Sequence, residues 1–480
     1  MINVGRLWQF HAAFASGLGS LVMGVLTVWP SYTSVLYSSN STTILSEPMT
    51  KLEGSLLGSI PSLGATIGTA IAGTILDKYG RKNGGIILNI PYVISWIIIG
   101  MSSSIKTILA ARFLAGIAGG GTMILAPVLI SEVSEDAIRG ALASNSMLMY
   151  CGGMLLSYVM GWFLTYKTII WINIILSLAS TALLALVDES PIYLLRNGME
   201  KEAILSIARY RGVPVSSKIV LDELSKWRQQ ILSSTEYKPI IDCASTDIEK
   251  AKLKYNETQP KNFTFLSSVK MLFLSLSSRR AFLVVMTIMS AQVLMGMLLI
   301  QVYASTIFTE TDPSKSDLYT VLFAVLQFIA CFIVSAVADK TGRRVLQISS
   351  SALVGLCLVS LGYLLQFKVT PSWVIVVFIM AYCFFFMVGA GSVPYVLLAE
   401  VFTLEVLNLA TMLIIEWVWL LNFFVIAIFP YVIECFGIHG AFYGFAAVSL
   451  ANTIISYFIL PETAGLSNED IQKVFLPRLK

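Results

Sequence analysis

The chain has 480 residues, is 56% hydrophobic and only 12% charged, and sets 32 Lys and Arg against 28 Asp and Glu for a formal net charge of +4. A mean hydropathy of +0.79 excludes an ordinary multidomain soluble enzyme and points to a polytopic membrane protein. Two histidines (His11, His439) and six scattered cysteines offer neither metal-ligand spacing nor a disulfide framework, so no metal and no cofactor is expected.

Apolar runs of membrane-crossing length recur at 9–29, 56–76, 85–101, 108–130, 141–164 and 168–187. They resume at 281–308, 318–338, 345–366, 373–399, 409–430 and 438–460. Barrel strands would be about half as long and would alternate, so the spans are helical. The expected fold is all-α: two pseudo-symmetric six-helix bundles over 1–187 and 281–460, a helical linker domain over 188–280, and a tail over 461–480. With both termini cytoplasmic, most of the Lys and Arg fall inside, as the positive-inside rule requires. Asn40 of Asn40-Ser41-Thr42 then lies outside as a glycosylation sequon, whereas Asn256 and Asn262 stay inside and bare. The first span suffices as an insertion signal, so no cleaved leader is needed.

The polar linker contains MEKEAILSIARYRG and LDELSKWRQQIL, with apolar residues at helical spacing. They read as short amphipathic helices at the inner surface. The run Lys250, Lys252, Lys254 fits a solvated face near anionic lipid better than a nucleic-acid site.

Three phrases occur twice, each at an expected inner membrane edge. DKYGRK at Asp77–Lys82 returns as DKTGRR at Asp339–Arg344, an offset of 339 − 77 = 262. VLISEV returns as VLLAEV, placing Glu132 and Glu400 at 400 − 132 = 268. VDESP returns as LPETA, placing Glu189 and Glu462 at 462 − 189 = 273. The same order at nearly constant spacing reads as a duplicated six-helix unit. Gly80 and Gly342 permit the tight turns. Arg81 and Arg343 can reach Glu132 and Glu400 bidentately, giving an ionic latch at the cytoplasmic rim that includes Asp77 and Asp339. The plainer reading is that these basic loops only fix topology.

Together these phrases resemble the sugar porters of the major facilitator superfamily. The resemblance rests on AGTILDKYGRK, on RFLAGIAGGGTMILAPVLISEVSEDAIRGAL at 112–142, on ESPIYLL, on PETAGLSNEDIQ, and on GAGSVPYVLLAEVF at 389–402. The last has a form similar to insect facilitative trehalose and hexose carriers. The resemblance implies twelve helices, alternating access, a sugar site between the halves and a clasp that also draws on Arg139 and Glu189.

It further implies that amides and aromatics on helices 5, 7, 8, 10 and 11 hold the sugar. The candidates are Gln292, Gln327, Trp419, Asn422, Tyr395 and Tyr303. The family's Q-Q-L-S-G-x-N stands here as QVLMGML, so the second Gln is Val293 and the Asn is Leu298. Met147, Met387 and Val418 replace other polar positions, leaving a more apolar pocket. Gln292, Gly296, Leu299 and Tyr303 follow i, i+4, i+7, i+11 and so share one face of helix 7, with Gln301 on the opposite side as the poorer candidate. Trp419 and Asn422 are helical neighbours, suited to stacking on sugar C–H groups and binding a hydroxyl. For each residue, ordinary interhelical packing is the competing reading.

No G-x-x-x-x-G-K-[ST] phosphate loop occurs, and the first span holds no acid of the kind proton-coupled relatives carry. Glu416 lies about 10 Å inside helix 11 if that helix starts near Leu409, which makes it a candidate for proton coupling or a cationic ligand. Arg112 opens helix 4 at the outer side, as in the family pattern, and can snorkel or bind backbone carbonyls. Leu407 stands where the family has a basic residue, so Glu400 is expected to rely on Arg343 alone. The function expected is facilitative uniport of a sugar by a monomer in the plasma membrane, with no enzymatic chemistry and no nucleic-acid partner. The alternatives are a carrier of a less polar or cationic solute and a non-transporting sugar sensor.

Overall fold

The computed structural model describes residues 4–39, 44–135, 137–233, 265–367, 370–463, 471 and 474–475. Asn40, Lys250, Lys252, Lys254, Asn256 and Asn262 lie outside them, as does the side chain of Asp339. Among the described residues the chain is helical, with no strand. Ten helices among the described residues are long and apolar enough to cross a membrane. The chain is a multi-pass membrane protein.

Two of those ten, Lys51–Met101 and Leu404–Ile459, are far longer than a bilayer requires and are broken at Gly80 (φ 88°) and Gly437 (φ 69°). Both fold back on themselves. A β-carbon on Gly84 would lie 3.2 Å from Leu76 Cα, whereas eight residues of straight helix span about 12 Å. The Phe429 and Phe445 ring centroids are 6.3 Å apart, against about 24 Å along a straight helix. The continuous 281–308 run of the sequence is also divided, into Leu276–Leu294, Met297–Val302 and Ala304–Thr311, with breaks at Gly296 and Tyr303.

Small residues let the first-half helices approach to backbone contact. A β-carbon on Gly64 would meet Phe113 O at 2.2 Å, and one on Gly120 would meet Ala65 O at 2.3 Å, the small-residue packing of lipid-embedded helices. Polar bonds brace each half at matching positions. Ser180 Oγ donates to Asn89 Oδ1 (3.4 Å) in the first half, and Asn452 Nδ2 donates to Ser351 Oγ (3.0 Å) in the second. The repeat keeps the bond and swaps its residue types.

Three short helices, Pro191–Arg196, Glu200–Arg211 and Lys218–Ser233, form a layer on the end of the first half that carries the Gly80 turn. Leu194, Leu195, Ala203, Ile207, Val220 and Leu224 make its core. Arg211 Nη1 donates to Val133 O (2.9 Å), and Gln9 Nε2 donates to Tyr210 O (2.7 Å), which tie the layer to the membrane helices.

Candidate functional site

At the Gly80 turn, Arg81 is the hub. Its Nε and Nη2 donate to Glu132 Oε2 (2.8 Å) and Oε1 (2.7 Å), the bidentate fork of a guanidinium on a carboxylate. Nη1 reaches Leu76 O (3.1 Å) and Asp77 Oδ1 (3.3 Å), and the ring of Tyr193 covers the guanidinium at 5.7 Å. Glu189 accepts from the backbone N–H groups of Arg81 (2.7 Å), Lys82 (3.1 Å) and Ser190 (2.9 Å). Burial pushes the Glu189 carboxyl above its ordinary pKa, while those amides and Arg81 pull the other way. Arg139 Nη2 donates to Ser134 O (3.3 Å), five residues back along its own chain segment.

The Gly342 turn repeats this arrangement. Arg343 Nη2 meets Glu400 Oε1 (3.1 Å), and Glu462 accepts from the N–H groups of Arg343 (2.8 Å) and Arg344 (3.2 Å). Glu400 does not depend on Arg343 alone: Thr463 Oγ1 donates to its second oxygen at 3.0 Å. The second cluster is the wetter one, with side chains 13% and 29% exposed for Arg343 and Glu400 against 5% and 11% for Arg81 and Glu132. These Arg–Glu bonds run within a half, not between halves.

The halves meet elsewhere. Tyr158 OH donates to Gln301 O (2.5 Å), Ser305 N–H to Ser31 Oγ (2.8 Å), and Lys51 pairs with Glu434. Gly58 faces Val302 and Ile426. These contacts lie toward the end opposite the Gly80 and Gly342 turns. At mid-depth, Thr69 Oγ1 bonds Glu416 Oε1 (2.6 Å), and Glu416 Oε2 has no partner. Glu416 is deeper than the sequence implied, because its helix begins at Leu404; twelve residues put it about 18 Å in.

The one-face arrangement of Gln292, Gly296, Leu299 and Tyr303 does not survive, because the helix breaks at Gly296 and again at Tyr303. Gln292 Nε2 donates to Gly391 O (2.9 Å) beside the π-turn Phe386–Ala390, and its Oε1 is buried without a partner. The Tyr395 hydroxyl lies within bonding reach of that amide. The breaks swing Gln301, the residue set aside in the sequence, onto Gln327: Gln301 Nε2 donates to Gln327 Oε1 at 2.7 Å. Gln327 is fully buried and its Nε2 is left without a partner. Only a break at Gly296 could have announced this pairing, and a glycine within an apolar run is a weak signal. Trp419 reaches across to pack on the apolar core of the first half, and Asn422 is buried nearby on the same helix. Tyr303 is separate from these amides. Its hydroxyl donates to Ile426 O (3.4 Å), and its ring lies 5.2 Å from Phe429. It lines a cavity of about 550 Å³ between the halves, with Ser34, Ser55, Lys51, Glu310 and Glu434.

A family model described as "Sugar (and other) transporter" matches residues 8–475. The chain belongs to this family. Its members are transporters of the major facilitator superfamily, not enzymes. The facilitated trehalose transporter Tret1 of Polypedilum vanderplanki is 25% identical over 479 residues, covering 98% of this chain and 89% of that protein. The probable metabolite transport protein CsbC of Bacillus subtilis is 29% identical over 442 residues, covering 90% and 88%. The Tret1 of Drosophila virilis is matched over 49% of its own length. The inward open conformation of the xylose transporter XylE from E. coli superposes with a TM-score of 0.76 at 18% identity, over 97% of this chain and 99% of that one, and so shares the fold.

Proposed function

We propose that this chain is a facilitative transporter of a sugar such as trehalose or a hexose, working by alternating access as a monomer in the plasma membrane with both termini cytoplasmic. Ten qualifying helices, two of them hairpins, support twelve crossings (10 + 2). They divide into bundles over 1–187 and 281–460, with 188–280 as a cytoplasmic linker domain and 461–480 as a tail.

The observation that carries the reading is the pair of matched clasps. Arg81–Glu132–Glu189 and Arg343–Glu400–Glu462 each fix the turn of their own half. Each half then rocks as a rigid unit while the bonds between halves change. Tyr158–Gln301, Ser31–Ser305 and Lys51–Glu434 hold the far ends together, which supports a state closed outside and open to the cytoplasm. Gln292, Gln327, Tyr395, Trp419 and Asn422 are the proposed sugar contacts, with Tyr303 at the outer mouth. The unpartnered Gln292 Oε1 and Gln327 Nε2 supply the acceptor and donor that hydroxyls require.

Radiolabelled trehalose and glucose should equilibrate into proteoliposomes faster than into empty vesicles, and Gln292→Ala should slow the flux. Fluxes equal to leak would end the sugar reading. A proton-coupled carrier is the second reading, resting on the unpartnered Glu416 Oε2 beside Thr69. Uptake that tracks external acidification and is lost in Glu416→Gln would select it.

A further inference from the structure

Arg112 stands as the eighth residue of the Ile105–Val133 helix, about 10 Å in from the end opposite the Gly80 turn. It is 0% exposed. Its Nη1 donates to Leu26 O (2.5 Å) and its Nε to Leu57 O (3.1 Å). Those carbonyls are free for a sequence reason: each lies four residues before a helical proline, Pro30 and Pro61, which has no N–H to give back.

Two bonds to neutral carbonyls leave the charge in place, since a guanidinium does not lose its proton. Among the described residues no carboxylate pairs with it; Glu53, one turn before Leu57, is held by Thr50. The first half contains no Asp or Glu in 4–38, 54–76, 81–131 or 140–187. Arg112 Nη2 is buried with no partner, and its guanidinium lies 5.4 Å from the Trp29 ring. Trp29 in turn lies 5.6 Å from Trp96, edge to face. Both indoles are 0% exposed, and both Nε1–H groups lack a partner. Asn173 sits in register with Trp96, by the flanking Ser180–Asn89 bond and the Gly100–Ile170 contact; its Oδ1 and Nδ2 are likewise unpartnered. The neighbouring hydroxyls pair with one another: Tyr37 with Tyr166 (2.6 Å) and Tyr32 with Ser157 (3.1 Å).

The cluster therefore holds one full positive charge and unsatisfied donors on Arg112, Trp29, Trp96 and Asn173, against one unsatisfied amide oxygen, Asn173 Oδ1. Such surroundings repel a cation. A water would satisfy some of these donors but leave the charge unbalanced. They suit a monovalent anion, which accepts from every donor and cancels the charge. We propose that the first half carries a buried binding site for a small monovalent inorganic anion, chloride in physiological media, formed by Arg112, Trp29 and Trp96. Bound there, the ion braces the helices 4–38, 81–101 and 105–133.

The test uses the purified full-length protein in detergent, with chloride exchanged for gluconate at constant ionic strength. Chloride should raise the apparent melting temperature saturably, by about 2 °C or more at full occupancy. Iodide, a heavy-atom quencher, should quench tryptophan emission with a saturable component that chloride competes away. Trp29→Phe and Trp96→Phe keep a ring and lose one donor each, so both should weaken the chloride midpoint several-fold, as should Arg112→Gln where it folds. Equal melting temperatures in chloride and gluconate, with linear iodide quenching unchanged by either Phe variant, would overturn the proposal and leave water in the cluster.

Discussion

Replacing Gly80 by Ala separates the clasp from the mere presence of a turn. Gly80 has φ 88° and ψ 172°, a region for which a side-chain-bearing residue pays about 1–3 kcal/mol. The added methyl would sit 2.2 Å from Glu189 Oε2 and 2.7 Å from its Cδ, so the carboxylate must leave. Losing its bonds to the Arg81 and Lys82 amides adds about 1.5–3 kcal/mol, for a total of about 2.5–6 kcal/mol. At Gly342 the φ is similar, 82°, but Glu462 Oε2 stands back at 2.9 Å. Gly342→Ala should therefore cost clearly less. The assay is the apparent melting temperature of detergent-solubilised protein, followed by tracer flux in proteoliposomes. Glu189→Ala removes the obstacle, so Gly80→Ala combined with Glu189→Ala should cost less than the sum of the two. Strict additivity, or Gly342→Ala as damaging as Gly80→Ala, would refute the reasoning.

Arg81→Ala leaves Glu132 buried and unpaired and should cost about 3–5 kcal/mol; Arg343→Ala, in the wetter cluster, should cost less by the same melting assay. Gln301→Leu strips Gln327 Oε1 of its donor, at about 1–3 kcal/mol, and should raise the KM for sugar; an unchanged melting temperature and KM would count against the amide pair. Pro30→Ala returns an N–H to Leu26 O, so Arg112→Gln should be better tolerated in a Pro30→Ala, Pro61→Ala background. A double-mutant cycle in melting should show coupling of about 1 kcal/mol, and no coupling would mean that Arg112 does not serve those carbonyls.

Much was legible because it is local. Apolar runs of about 20 residues can only be helices in lipid, where each backbone group must be bonded within its own segment. The three motifs that each occur twice, with glycine at the two D-K-x-G-R turns, place their charges at helix ends whatever the packing. What periodicity could not give was side-chain direction beyond a break. Gly296 resets the helical phase, and with it Gln301 turns from a discarded residue into the partner of Gln327. Glu400's bond to Thr463 was equally hidden, because it joins segments 63 residues apart by a docking that no window of sequence contains.

The sequence by itself determined the helical class, the recurring motifs and the family, since these rest on composition and on motifs within one or two helical turns. Only the tertiary structure decided which polar groups satisfy one another. Arg112 shows why. Its place in an apolar helix is written in the chain, but its partners are carbonyls on two other helices, freed by prolines 82 and 51 residues away (112 − 30 and 112 − 61). Hydrogen bonds form over about 3 Å of space, and sequence distance does not measure that.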